Sequence, residues 1–174
     1  MDRCKPVDTP IEAGTKLSKY DVGTIVNATL YKQLVGSIMY LTATRPDIAF
    51  AASYISRFME SPKDCHWKAR KRVLRYIIGT YTYGLSYAAS TDSKLVGYTD
   101  SDYAGCIDDQ KITSGYAFLF GRNLIPWSSK NQPIVALSST EAKYVASASC
   151  QAVCLTRLLS DFGYTEKIDR KSVV

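Results

Sequence analysis

Histidine is almost missing from this chain: His66 is the only one in 174 residues. A Ser–His–Asp triad or a histidine-built zinc site therefore has very little to draw on. The five cysteines are an odd number and form no CxxC pair, and Cys150 and Cys154 lie four apart on a predicted helix. That usage suggests buried, reduced thiols in an intracellular protein rather than a disulfide framework. The opening MDRCKPVDTP is charged and contains proline, unlike a secretory signal or a membrane span. An intracellular location with no membrane partner is the expectation.

Hydrophobic residues make up 46% of the sequence, enough to bury a core and to argue against global disorder. Twenty-two basic residues against 16 acidic ones give a net charge of +6, which favours an anionic partner.

Residues 1–29 hold Pro6, Pro10, Gly14 and Gly23 without a sustained period and read as an extended lead-in. From residue 30 the spacing becomes helical, with Leu30, Leu34, Ile38 and Leu41 on one stripe. Pro46 suits an early helical position, with Thr44 as the cap, and predicts a second helix to Met59 with Ile48, Ala51, Ala52, Ile55 and Phe58 on its apolar face. A third helix is predicted over His66–Ile78, ended by Gly79. Residues 30–79 thus form a helical segment.

After Gly79 the composition shifts. Thr80–Tyr87 alternates weakly and is rich in Tyr and Thr, as strands are. Leu95–Tyr98, Gly115–Phe120 and Leu124–Ser128 are further strand candidates, with Gly121-Arg122-Asn123 as a hairpin turn, and Ile134–Leu137 is a short one. Thr140–Asp161 reads as a helix stopped by Gly163. Helices, then an antiparallel meander, then a helix make an α+β chain, with the second region spanning 80–174.

Two carboxylates bear on chemistry. Asp100 ends the apolar run in GYTDSDYAG, where a strand aims a carboxylate rigidly, although TDSD is also a good turn. Glu141 opens the helix LSSTEAKYVA, where Ser138-Ser139-Thr140-Glu141 already spells a capping box. Lys143 lies about 200° around the helix from Glu141. The stripe of Ala142, Val145, Ala146, Ser149 and Val153 flanks Glu141 better, so Glu141 is the inward acid on this reading. A strand-borne Asp and a helix-borne Glu that converge can share a divalent metal for phosphodiester hydrolysis. Asp108-Asp109 reads as a solvated turn. Lys68, Lys71, Arg72 and Arg75 along the third helix form a candidate phosphate-gripping face, equally readable as a solvated one, and Ser128 and Lys130 end a strand where a sugar-phosphate backbone could touch.

The tract YKQLVGSIMYLTATRPDIAFAASYISRFMESPKDCHWKARKRVLRYIIGT, together with GYTDSDYAGC, ITSGYAF, PWSSKNQ and LSSTEAKYVA in that order, resembles the C-terminal reverse transcriptase and ribonuclease H region of copia-type retrotransposon Pol polyproteins. The resemblance runs from about Cys4 to Tyr164. It implies a helical connection segment over 30–79, then a ribonuclease H-like domain whose family cuts the RNA strand of RNA–DNA hybrids with two Mg²⁺ held by four acidic residues. By motif, Asp100 would be the first metal ligand and Glu141 the second. The chain departs from the pattern in three ways. The third acid, in a CDN-like strand, and the fourth have no match, since the chain ends TEKIDRKSVV and Asp169 stands outside such a context. The tract reads EAKY where the family has EAEY, so Lys143 occupies the other candidate ligand position. The polymerase palm would precede Met1. The domain is therefore expected to be incomplete, with an unpaired sheet edge, and inactive on its own. The remainder of a Pol polyprotein is an expected partner. The alternative is a nucleic-acid-binding module that works through the basic helix without cleavage.

Overall fold

The computed structural model describes residues 4–89, 94–102, 107–108, 111, 113–132, 138, 141, 152–164 and 169–172. The chain divides into two compact units: Met1–Gly84 with Cys106–Asp108, and Leu85–Gly105 with Asp109–Val174. Its class is α+β.

The first unit is helical. α1 spans Ala28–Leu41 and is capped by Asn27, whose Oδ1 accepts the Leu30 N–H at 2.9 Å. Its buried face is Tyr31, Val35 and Ile38, not the stripe through Leu30 and Leu41, which are 43% and 38% exposed. Tyr31 goes inside because its hydroxyl has a partner there, the Ile55 carbonyl at 2.9 Å. A short 3₁₀ turn, Pro46–Ile48, leads into α2, Ala49–Ser56. Thr44 does not cap it: the Thr44 hydroxyl turns back to the Leu41 carbonyl at 3.3 Å, closing α1, and Arg45 takes the cap position. The predicted apolar face of this second helical segment is the observed one, with Ile48, Ala51, Ala52, Ile55 and Phe58 all buried. α3 runs Asp64–Gly79 and completes the core through Val73 and Tyr76.

Gly79 is the last residue of α3, so the helix stops where the sequence places its end. A Cβ at this position would lie 2.7 Å from Pro6 Cβ, so the glycine admits the lead-in against the helix. That lead-in is irregular but anchored. Leu17 packs on Tyr54 and Phe58, and the Tyr54 hydroxyl accepts the Leu17 N–H at 2.9 Å and donates to the Thr15 carbonyl at 3.2 Å.

Thr80–Tyr87 forms no strand. It turns and then runs irregularly, with Tyr81, Tyr83 and Tyr87 exposed. Weak alternation without a partner strand does not hold a β conformation.

The second unit is a four-stranded sheet of order β3-β2-β1-β4, built from β1 (Leu95–Asp102), β2 (Thr113–Phe120), β3 (Asn123–Asn131) and β4 (Asp169–Ser172). β1–β2 and β2–β3 are antiparallel, the latter joined at Gly121, whose φ is 58°. The register shifts between Ala117 and Leu119, where β3 carries an extra residue beside Pro126. A bulge on an outer strand is where proline is tolerated.

β4 is a strand that the sequence reading did not foresee. Asp169–Ser172 pairs in parallel with β1, Val96 opposite Asp169 through Thr99 opposite Ser172, so that flank of β1 is covered. One sheet face packs on α4 (Ala152–Asp161): Leu95 and Phe118 meet Ala152, with Leu155 and Leu159 alongside. Gly163, at φ 85°, follows α4 as the predicted stop. Ile134–Leu137 and the middle of the predicted Thr140–Asp161 helix, including Lys143 and Cys150, lie outside the described residues.

Candidate functional site

Asp100 sits near the end of β1, an inner strand between β2 and β4. Alternation places it on the face shared with Val96 and Tyr98, opposite the one on which Leu95 meets α4. Across the sheet its row continues through Gly115 and Ser129. Gly115 has no side chain to screen the carboxylate, and among the described residues a Cβ there would touch only the Ser128 carbonyl, at 3.5 Å. Asp100 is exposed, and its Oδ1 accepts the Ser101 N–H at 2.8 Å. The position is rigid backbone carrying an open carboxylate.

Glu141 is also exposed, and its N–H donates to Ser138 Oγ at 3.1 Å, so the Ser138 half of the expected capping box is formed. Asp169 does not extend the Asp100 site. Its register partner is Val96, four residues from Asp100, or about 13 Å along a strand. Asp100 lies on β1 and Glu141 is helical, and both are exposed.

The basic helix is divided in its loyalties. Arg72 Nε donates to the Thr9 carbonyl at 3.2 Å and Nη2 to Thr9 Oγ1 at 3.0 Å, while Nη1 lies 3.7 Å from Glu12. Arg75 Nε donates to the Lys5 carbonyl at 2.7 Å. These two guanidinium groups tie down the lead-in. Lys68 is largely exposed and pairs with Asp64 one turn back, at 3.3 Å, and Lys71 is exposed. On β3, Lys130 is exposed and Ser128 half-buried, both on the face opposite Asp100.

Sequence reasoning missed a polar cluster in the first unit. Asp21, Cys65 and His66 bring ligand atoms within 4.8 Å of one another, the one such group of three or more among the described residues. His66 is fully buried and stacks on Phe58, ring centroids 3.9 Å apart. Its Nδ1 accepts the Lys63 N–H at 3.0 Å and its Nε2 donates to the Ser18 carbonyl at 3.1 Å, with Asp21 Oδ2 3.8 Å away. A metal on Nε2 would require the proton on Nδ1, where it would face the Lys63 N–H, donor against donor. The cluster does not fit a metal; it is a closed hydrogen-bond network. Asp21 Oδ2 accepts the Ser18 N–H at 2.9 Å and the Cys65 thiol at 3.5 Å, and burial raises the pKa of that thiol. Lys63 Nζ donates to the Asp21 carbonyl. Asp108, read as a solvated turn, accepts from the Ser18 hydroxyl and from the Lys19 N–H, the latter at 2.8 Å. The one local signal was His66 three residues after Lys63 at a helix start.

The other described cysteines, Cys4 and Cys154, are free and exposed rather than buried, and Cys65 is free and half-buried. Among the described residues no helix is long and apolar enough to cross a membrane.

No family profile matches the chain, and no solved structure matches it. Curated relatives do. The chain is 43% identical over 176 residues to the retrovirus-related Pol polyprotein from transposon TNT 1-94 of Nicotiana tabacum, covering 96% of this chain and 13% of that protein. It is 41% identical over 165 residues to the corresponding polyprotein from transposon RE2 of Arabidopsis thaliana, covering 94% and 11%. It is also 48% identical over 129 residues to a protein named secreted RxLR effector protein 161 in Plasmopara viticola, covering 72% of this chain and 91% of that one. The chain thus spans about an eighth or less of the length of the polyproteins it matches.

Proposed function

We propose that this chain, 41–43% identical over nearly its whole length to retrovirus-related Pol polyproteins of plant transposons, contributes the ribonuclease H-like part of such a polyprotein and does not cleave nucleic acid by itself. The observation that carries this reading is the placement of Asp100. It stands on the inner strand β1 of a mixed sheet, beside a side-chain-free Gly115, with a meander and then a helix following in the chain. That is the order of elements the resemblance implies. The open row at Gly115 leaves room for a backbone or an ion to approach the carboxylate.

The inactivity follows from charge. Two Mg²⁺ ions carry four positive charges, and an arrangement of several carboxylates is what holds them at one place. The resemblance implies four acids, and its motifs match two of them in this sequence, Asp100 and Glu141, so only half of the expected charge is supplied. When loaded, such a metal pair would activate water and stabilise the leaving oxygen. This chain's own share is to hold one carboxylate rigidly and to offer exposed cations, Lys68 and Lys71 on α3 and Lys130 on β3, to a phosphate backbone.

The test is incubation of the chain with an RNA–DNA hybrid and Mg²⁺. The expected result is salt-dependent binding without cutting. Cutting that Asp100→Asn or Glu141→Gln abolishes would overturn the inactivity. Absence of binding even at low salt would remove the nucleic-acid reading altogether.

A further inference from the structure

We propose that the neutral His66 ring is a latch that holds the lead-in against α3 and opens when the ring takes up a proton. The two ring nitrogens face opposite demands. Nδ1 meets a donor, the Lys63 N–H at 3.0 Å, and Nε2 meets an acceptor, the Ser18 carbonyl at 3.1 Å. One protonation state satisfies both, the neutral ring with its hydrogen on Nε2. A second proton has only Nδ1 to occupy, and there it opposes the Lys63 N–H across 3.0 Å. The ring cannot turn away, since it is fully buried and stacked on Phe58 of the segment following α2.

The charged groups around the ring pull in both directions. From the lead-in, Asp21 favours a proton, with its Oδ2 at 3.8 Å from Nε2. Asp108, reached through Ser18, acts the same way. From the start of α3, the Lys63 ammonium opposes a proton, while Asp64 pairs with Lys68 and the Cys65 thiol donates to Asp21. Burial is the largest influence and holds the His66 pKa below the ordinary 6.5, so the ring is neutral in the latched state. The sign follows. The latched state binds fewer protons than the released one, so latching is fully favoured above about pH 6.5 and weakens as pH falls from there through the folded value. In that window the released population grows by up to about tenfold per pH unit.

Release frees the Ser18–Asp21 corner and, beside it, Lys16 and Lys19. The experiment is trypsin cleavage of the full chain at Lys16 and Lys19 between pH 7.5 and pH 5.5, each rate divided by that of an unstructured peptide under the same conditions. In parallel, the imidazole proton resonances are followed by NMR; His66 is the chain's one histidine, so their assignment is unambiguous. The expected result is a normalised rate that begins to rise below about pH 6.5, gains up to about tenfold by pH 5.5, and levels off where the imidazole of the latched chain titrates. His66→Gln supplies an uncharged acceptor at the same helix position and should flatten the rise whatever its basal rate. A flat wild-type rate, a ring that titrates without release, or a His66→Gln chain with the same rise would overturn the latch. If that variant does not fold, the wild-type rise starting above the pH at which the ring itself titrates still decides.

Discussion

Arg45 is nearly buried, and its guanidinium is matched on every nitrogen. Nε and Nη2 donate to the two oxygens of Asp47 at 2.8 and 2.7 Å, and Nη1 and Nη2 reach the Thr80 carbonyl and hydroxyl at 2.9 and 2.7 Å. Tyr76 adds a hydrogen bond to Asp47 at 2.9 Å. Removing the charge from Asp47 leaves a largely desolvated cation without its partner, so Asp47→Asn should lower unfolding stability by about 2–3 kcal/mol, read as a lower urea midpoint. The Arg45 hydrogen bonds hold the Asp47 carboxyl below its ordinary pKa. That contribution is present above the unfolded carboxylate value and is lost as pH falls through the folded one. Asp47→Asn should therefore also flatten the acid limb of the stability profile. A second residue-scale test concerns Gly97. A Cβ there would lie 2.5 Å from Phe118 Cε1, inside the sheet core, and Gly97→Ala should cost about 1–3 kcal/mol by overpacking. Pairing it with Phe118→Leu should recover part of that loss, a coupling that a double-mutant cycle measures.

The elements of the chain were legible where a face is buried by periodic apolar residues. The apolar face from Ile48 to Phe58 and the β2–β3 hairpin follow from spacing and from Gly121. The lead-in was not legible. It is held by hydrogen bonds to its own carbonyls, from Arg72, Arg75 and Lys63, and a carbonyl leaves no mark in sequence. The same reason hid β4, whose four residues Asp169–Ser172 carry no apolar alternation and gain their place by pairing with β1. Asp100 could be picked out because it ends an apolar run, yet its open row at Gly115 depends on register. Gly79 marked the end of α3, while its second role, as room for Pro6, was not legible. Gly79→Ala should therefore leave α3 intact by circular dichroism while displacing Pro6, seen as faster hydrogen exchange in residues 5–12.

Across the whole molecule the net charge of +6 biases binding toward polyanions, but the donors are unequal. Lys71→Ala should weaken hybrid binding and reduce the salt slope by roughly one unit. Arg72→Ala and Arg75→Ala should act mainly by loosening the lead-in, detected as increased proteolysis without a matching change in slope. The sheet's two outer strands bear on a different property. β3 carries Pro126 within its bulge and ends near Lys130, and β4 is four residues long, three of them Asp169, Arg170 and Lys171. Proline, a bulge, shortness and charge each discourage another chain from adding a strand. Concentrated solutions of this protein should accordingly stay clear and dye-negative for amyloid on storage, and replacing Pro126 with Val should start fibril growth from the β3 side.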